Sequence, residues 1–320
     1  MNSEINNKEA ESKNKTRVFL ILGLITWLLG LFFFLNQSRF EHSLIFARIL
    51  PTGWNPIPPN LNIIINNPSD TTDINPNVDP NFVIIDTIDI DSIDVNNNLS
   101  KSFSLKKYAP KVMSQGQLGS CVAWSTTYAG FTIVKRIEQE NLANPVYAPL
   151  NLYVRMKRLM GESPCGDGAH ISYALNLLRR NGCPFFNSSP VECSKVIVNN
   201  DSKYRDKLFQ FDEIEPSNLN KIKKAISNKM PIVFGINCYD GDDWKNAVLN
   251  NGVWSGHYSG KVNSGHAMCL IGYDDNKAGG SFEIMNSWGD DWGDKGFFWI
   301  KYADFVKHVD ECYALIPRKK

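Results

Sequence analysis

The sequence predicts an α+β fold with two lobes, one helical and one built on an antiparallel β-sheet, and a cleft between them. Apolar residues recur at helical spacing between about Leu105 and Pro231, whereas strand-like runs separated by turn residues follow Pro231. Helices first and strands second is a typical α+β order. The chain has 320 residues, of which 43% are hydrophobic, and this is enough to bury one sizeable core.

Three helices are predicted in the first part of this region. The first follows Cys121 and has apolar or small residues along one face, at Val122, Thr126, Ala129, Ile133 and Ile137. The second covers ISYALNLLRR and ends at Gly182. The third covers SNLNKIKKAISNK, with Ser217 as its N-cap and Pro231 beyond its end.

Four strands are predicted after Pro231, with the sequences PIVFGIN, HAMCLIGYD, SFEIMNSW and GFFWIK. The turn-rich stretches DDNKAGG and GDDWGDKG separate the last three strands, which favours an antiparallel sheet. A cleft between such a sheet and a helical lobe is a natural place for a functional site.

The N-terminal third predicts an anchor and a linker. Residues 1–17 form a polar tail, and residues 18–35 form an uncharged apolar run long enough for a short transmembrane helix. Residues 36–104 have the composition of a linker, and residues 105–320 form the predicted globular domain. A cleaved signal peptide is the alternative to the anchor, but no small-residue cleavage site follows the apolar run.

Charges beside the apolar run predict its orientation and the compartment of the globular domain. The basic residues before the run are Lys8, Lys13, Lys15 and Arg17, and those shortly after it are Arg39 and Arg48. This bias favours a cytoplasmic N-terminus and a globular domain in the periplasm, a lumen or at the surface. An oxidising compartment would allow disulfides, and the seven cysteines leave at least one thiol unpaired. The pairing among the six cysteines other than Cys121 cannot be deduced from the sequence.

Composition gives no case for nucleic acid, a metal or a cofactor. The formal net charge is +1, so no electrostatic argument for nucleic acid follows. Four aspartates alternate with apolar residues in the linker: Asp86, Asp89, Asp91 and Asp94. A calcium site there would need a glycine-turned loop, which is absent from that stretch of the sequence. An acidic edge strand or a tether is the favoured interpretation.

The stretch QGQLGSCVAWS, residues 115–125, indicates a cysteine nucleophile. Cys121 stands at the predicted start of a helix, where backbone N–H groups and the helix dipole favour a thiolate. Gly119 and Ser120 keep the approach to the sulfur narrow, and Gln115 could donate an N–H to an oxyanion beside the Cys121 N–H. A buried structural cysteine explains these residues equally well when they are considered alone.

Two further residues favour the catalytic interpretation. His266 opens the strand HAMCLIGYD, directly after Gly265, and is expected at the mouth of the cleft. Asn286 ends the next strand, and neighbouring antiparallel strands can bring the imidazole and the amide together. Trp288 is expected to cover their hydrogen bond, although plain core packing would explain a tryptophan there as well.

The blocks QGQLGSCVAWS, NSGHAMCLIGYD and IMNSWGDDWGDKGFFWI resemble the three active-site blocks of papain-like cysteine peptidases. The resemblance covers residues 105–320 and implies the two-lobed papain-like fold. It also implies Cys121 as nucleophile, His266 as general base and acid, Asn286 as the residue that orients the imidazole, and Gln115 as oxyanion donor. Cys121 and His266 are then expected to exist largely as a thiolate and an imidazolium. A weaker block, CGDGAHISYALNLL, is similar to the family's cleft-lining segment and adds Gly166, Asp167 and Gly168 to the expected substrate-binding residues.

The chain departs from the family pattern at several positions. Leu118 replaces a cysteine, so the usual disulfide to Cys165 is impossible, and Cys183 and Cys193 remain candidate partners for Cys165 or for each other. Asp167 replaces the first of two usual glycines, which predicts a different hold on the substrate backbone. The linker shows no helical signature of the family's inhibitory propeptide.

The resemblance implies a cysteine peptidase that acts on proteins or peptides through a thioester acyl-enzyme, and the apolar run 18–35 adds the membrane anchor. An endopeptidase is the favoured interpretation, and exopeptidase action stays open. Two alternatives are an idle relative that binds peptides and an acyl transferase or ligase that uses the same acyl-enzyme. The retention of all four catalytic residue types argues against the first alternative. The sequence leaves the oligomeric state open.

Overall fold

The structure is a computed structural model, and it describes residues 99–139, 144–189, 191–198, 203–239, 244, 252–254 and 261–318. The predicted polar tail, the anchor run 18–35 and the linker as far as residue 98, with its four aspartates, lie outside these residues. Among the helices that the structure describes, none is both long enough and apolar enough to cross a bilayer.

An eight-stranded sheet dominates the described part of the chain. Its strands are β1 Ser102–Ser104, β2 Gln210–Glu213, β3 Ile232–Tyr239, β4 Val253–Trp254, β5 Val262–Asp274, β6 Ser281–Met285, β7 Phe297–Lys301 and β8 Val309–Ile316. Their order across the sheet is β2-β8-β3-β5-β6-β7-β4, and β1 pairs with β5. The strands pair antiparallel, except that β4 is parallel to β7. The predicted α+β class is therefore confirmed.

The first helix, α1, begins at Cys121 and consists of three consecutive stretches. These are the α-helical turn Cys121–Ala123, the π-helical stretch Trp124–Phe131 and the α-helix Thr132–Glu138. The other helices are α2 Pro149–Leu159, α3 Ile171–Asn181, α4 Leu219–Ser227 and α5 Tyr302–His308. Gly182 ends α3 with a positive φ of 71°, as predicted from the sequence.

Helix α1 lies against the sheet at a glycine. A Cβ atom on Gly130 would lie 2.8 Å from Leu315 Cδ2 and 3.1 Å from Val233 Cγ2, so a side chain there would have to displace Leu315 or the helix. The surrounding core is continuous from helix to sheet, since Phe131 and Leu152 share a buried cluster with Ala267. This packing fixes the N-terminus of α1 relative to β5.

The structure corrects four expectations from the sequence. The third predicted helix, α4, is capped by Asn218, whose side chain accepts the Lys221 N–H at 3.0 Å, and Ser217 is not the cap. Strand β1 begins at Ser102, so the sheet includes the last residues of the predicted linker. Strand β5 begins at Val262 and places His266 inside the strand, where the sequence predicted its first residue. Helix α2 was not predicted, although it contributes buried side chains to the core.

Candidate active site

Cys121 is the first residue of helix α1 and is fully buried. Its Sγ accepts a hydrogen bond at 3.3 Å from the backbone N–H of Ala267, on strand β5. Because Ala267 follows His266 directly, this bond brings the thiol to the strand that carries the predicted imidazole. A helix N-terminus and a backbone N–H both favour negative charge on the sulfur.

His266 and Asn286 meet across neighbouring strands. His266 Nε2 and Asn286 Oδ1 are 2.8 Å apart, and both residues are buried. The β5–β6 register pairs Cys269 with Met285, the last residue of β6. Asn286 follows directly and lies diagonal to His266 on β5. The bond to Asn286 assigns the proton to Nε2 of a neutral imidazole and leaves Nδ1 as an acceptor. Within the described residues, His266 Nδ1 makes no hydrogen bond.

Burial lowers the pKa of His266 from 6.5 to about 4, and the hydrogen bond that His266 donates to Asn286 opposes this change only in part. The neutral imidazole is therefore the favoured form in this closed site. This works against the expected resting pair of thiolate and imidazolium. A neutral imidazole with an open Nδ1 is instead suited to accept a proton from the thiol during the reaction.

Ser287 joins the predicted oxyanion donor to the histidine and is a residue that sequence reasoning missed. Its Oγ donates to Gln115 Oε1 at 2.6 Å, and its backbone N–H donates to Asn286 Oδ1 at 2.8 Å. Gln115 also donates from Nε2 to the Leu118 carbonyl at 3.0 Å, and its N–H donates to the Ser287 carbonyl at 2.8 Å. The position of Ser287, directly after Asn286, is the only signal that the sequence offered.

Aromatic rings cover the imidazole. Trp288 stacks on His266 with ring centroids 4.6 Å apart and an interplanar angle of 17°. Trp244 presents an edge to Trp288 at 5.5 Å and stacks on Trp254 at 4.7 Å. Trp288 therefore lies where the sequence predicted a cover for the His266–Asn286 bond, and Trp244 extends that cover. Apolar rings beside a hydrogen bond keep water from competing for it.

The predicted substrate-binding loop lies against the residues before Cys121. Asp167 Oδ1 accepts the Gly119 N–H at 2.8 Å, and the Gly168 N–H donates to the Gly119 carbonyl at 3.1 Å. Ser120, the other predicted residue on this side, is buried as the N-cap of α1. Gly265 lies across the site on β5, where it pairs with Asn237.

A disulfide and a buried lysine also hold the loop Gly166–Gly168 in place. Cys165 is bonded to Cys193, one of the two candidate partners, with the Cα atoms 5.9 Å apart. Lys157 is 2% exposed and its Nζ donates to the carbonyls of Asp167 at 3.1 Å and Gly168 at 3.0 Å. Lys157 also pairs with the Glu162 carboxylate. The loop is thus fixed by covalent and polar contacts in addition to those with Gly119.

The structure brings the predicted catalytic residues together in one place. Cys121, His266, Asn286 and Gln115 are linked through Ala267 and Ser287 by hydrogen bonds of 3.3 Å or less. Such a set can supply a sulfur nucleophile, a proton acceptor with an orienting amide, and an oxyanion donor. In the described part of the chain, no cluster of three or more His, Cys, Asp or Glu residues is placed to hold a metal ion.

The sequence model of the papain family cysteine proteases matches residues 99–313 of this chain. An uncharacterized peptidase C1-like protein of Acanthamoeba polyphaga mimivirus is 27% identical over 221 residues, which are 62% of this chain and 68% of that protein. Cathepsin K of Mus musculus is 28% identical over 200 residues, 62% of this chain and 58% of the mouse protein. The chain thus spans less than two thirds of the cathepsin.

Solved structures show the same fold. Xylellain, a cysteine protease from Xylella fastidiosa, superposes with a TM-score of 0.56 at 20% identity, over 74% of this chain and 95% of xylellain. The proform of the ragweed pollen allergen Amb a 11, a cysteine protease, gives a TM-score of 0.56 at 20% identity, over 73% of this chain and 71% of the allergen. At these identities the likeness concerns the fold alone.

Proposed function

This chain belongs to the papain family of cysteine proteases, and from that premise we propose that it hydrolyses peptide bonds of proteins through Cys121, His266 and Asn286. One observation carries the assignment. The sulfur at the start of α1 is bound by the N–H of Ala267, and the adjacent His266 is held by Asn286 through Nε2 with Nδ1 left open. A nucleophile, a base and an orienting residue are the three parts that this chemistry requires.

The proposed reaction begins with attack of the Cys121 sulfur on the carbonyl carbon of a peptide bond. His266 Nδ1 takes the thiol proton as the S–C bond forms, because burial keeps the imidazole neutral beforehand. The carbonyl oxygen becomes an oxyanion, which we assign to the Cys121 N–H and to the second Nε2 proton of Gln115. Ser287 fixes the orientation of that amide through Gln115 Oε1.

Collapse of the tetrahedral intermediate breaks the C–N bond, and the imidazolium gives its proton to the departing amine. This leaves a thioester on Cys121. Water then attacks the thioester carbon as His266 accepts a proton from that water. The C–S bond breaks and releases the carboxylic acid, and the imidazolium returns its proton to the sulfur, which restores the thiol. Asn286 holds the ring in one orientation through both steps.

The test is cleavage of a denatured protein by the full chain under mild reductant, followed by mass spectrometry. We expect cleavage by the unmodified chain and none by Cys121→Ala. A matched control is Cys183→Ser, because Cys183 is also a buried thiol and its Sγ–H donates to the Ala148 carbonyl at 3.1 Å, a bond that serine can keep. This control should cleave normally.

Two other results would identify the alternatives. Products heavier than hydrolysis allows, in the presence of an added amine, would mean an acyl transferase. A folded chain that neither cleaves nor reacts with an epoxide thiol trap at Cys121 would mean a peptide-binding relative and would overturn the proposed activity.

We also propose that residues 18–35 anchor the chain in a membrane, with the catalytic domain outside the cytoplasm. The support is the uncharged 18-residue run and the excess of basic residues before it. The full chain should resist alkaline extraction from membranes, whereas a chain lacking residues 18–35 should be released. Release of both forms would refute the anchor.

A further inference from the structure

The loop Gly166–Gly168 is fastened directly against the residue two positions before the nucleophile. Gly119 uses both of its backbone groups for this contact, since its N–H binds Asp167 Oδ1 at 2.8 Å and its carbonyl accepts the Gly168 N–H at 3.1 Å. The Tyr153 hydroxyl donates to the same carbonyl at 3.2 Å and also contacts the Gly166 carbonyl. The loop therefore has a fixed position relative to Cys121.

These contacts limit how far the Asp167 carboxylate can be from the nucleophile. The backbone between the Gly119 N and the Cys121 Cα spans at most about 8.5 Å. Adding the hydrogen bond of 2.8 Å places a carboxylate oxygen within about 11 Å of the Cys121 Cα. An extended lysine or arginine side chain covers most of that distance, so a substrate residue near the cleaved bond can reach the carboxylate.

The charge of Asp167 is available to a ligand. The residue is exposed, whereas its partner Gly119 is buried. The nearby Lys157 cation pairs with Glu162 and binds backbone carbonyls of the loop, so it does not pair with the Asp167 side chain. No ion pair of the Asp167 carboxylate occurs among residues for which the structure gives positions.

The electrostatics of Tyr153 agree with this location. Burial is the main cause of the raised pKa of the Tyr153 hydroxyl, and the charges of Asp167 and Cys121 raise it further. The hydroxyl that bridges Gly119 and Gly166 therefore lies within the field of both groups.

We propose that Asp167 is a specificity-determining residue that selects substrates with a lysine or arginine side chain within two residues of the cleaved bond. The inference rests on the proposed peptidase function. It follows from an exposed carboxylate that is anchored beside the nucleophile and forms no ion pair with the residues that the structure describes. The charge then attracts a complementary side chain in the bound substrate.

The test uses the full chain and sets of peptides that differ at one position near the cleaved bond. Each set compares arginine with citrulline, which has nearly the same shape but no charge. We expect kcat/KM to be about tenfold higher for arginine than for citrulline at one position, and this ratio to fall as NaCl is raised from about 0.05 to about 0.5 M.

Variants assign the preference to the carboxylate. Asp167→Asn keeps an Oδ1 acceptor for the Gly119 N–H and removes the charge, so the arginine-to-citrulline ratio should fall to within about twofold of one. Asp167→Glu should keep a preference. Asp291→Asn removes an exposed carboxylate from the loop after Trp288 and should leave the ratio unchanged.

Three results would overturn the inference. The first is an arginine-to-citrulline ratio in the Asp167→Asn variant that equals the ratio of the unmodified chain, with folding checked by circular dichroism. The second is cleavage of arginine and citrulline peptides at equal rates by the unmodified chain, which would refute the specificity but keep the peptidase. The third is no cleavage of any peptide or denatured protein, which would refute the proposed function itself.

Discussion

The buried His266 imidazole predicts a specific loss of stability at acidic pH. Burial lowers the pKa of His266 to about 4 in the folded chain, whereas the unfolded chain has the ordinary value of 6.5. The unfolded state therefore binds the extra proton first as pH falls. The stabilisation from a neutral His266 is present above pH 6.5 and is lost as pH falls from 6.5 through 4.

The size of the effect follows from the two pKa values. They differ by about 2.5, and each pKa unit corresponds to about 1.4 kcal/mol, so the free energy of unfolding should fall by about 3 kcal/mol between pH 7 and pH 4. No discount for solvent applies, because the side chain is fully buried.

The assay compares Cys121→Ser with the double variant Cys121→Ser/His266→Gln. Serine prevents self-digestion during unfolding, and glutamine retains a donor for Asn286 Oδ1 without titrating in this range. Urea unfolding is followed by tryptophan fluorescence at several pH values between 4 and 7. Subtracting the unfolding free energies of the two variants removes the contribution of all other titrating groups. This difference should shrink by about 3 kcal/mol toward pH 4.

A difference that stays constant with pH, or that grows toward pH 4, would refute the reasoning. Growth toward low pH would mean that the fold favours the imidazolium. Repeating the titration with Cys121 restored tests the expected thiolate–imidazolium pair, because a thiolate would raise the pKa of His266 and reverse the slope.

Two further predictions concern the contacts around the site. Ser287→Ala removes the donor to Gln115 Oε1 but keeps the backbone N–H to Asn286, so kcat should fall about tenfold with little change in KM. Ser287→Thr should retain most activity. An unchanged kcat of Ser287→Ala in steady-state assays would contradict this orienting role. The Cys165–Cys193 disulfide closes a loop with a sequence separation of 28. Replacing both cysteines with serine should lower the free energy of unfolding by about 3 to 4 kcal/mol in urea titrations, because the unfolded chain gains conformational entropy. An unchanged free energy of unfolding would contradict this account.

The candidate site residues could be singled out from the sequence because the chemistry they would perform restricts residue type. Few positions of the sequence offer a cysteine at a helix start, a histidine on a strand or an asparagine at the end of the next strand. The pairing of the strands then brings the histidine and the asparagine together. Ser287 could not be predicted in this way, since a serine has many uses and only its bond to Gln115 reveals its role. The partner of Cys165 likewise depends on which cysteine the fold brings near.

The missed elements have physical causes of their own. Helix α2 carries Arg155 and Lys157 on its buried face, which breaks the apolar pattern that a sequence analysis relies on. Strand β1 is only three residues long and exposes two of them. His266 lies four residues after the start of β5 because Val262, Ser264 and Gly265 already pair with β3.

The π-helical stretch Trp124–Phe131 sets the direction in which the nucleophile faces. Wider turns there include a bond from the Thr132 N–H back to the Thr127 carbonyl, five residues earlier, where an α-helix would bond four residues earlier. An α-turn takes up fewer residues than a π-turn, so closing this stretch into regular α-helix at the same length would rotate Cys121 relative to the buried Ile133 and Val134. Cys121 would then turn away from β5, so the wide turns themselves, whatever residues compose them, keep the nucleophile in place.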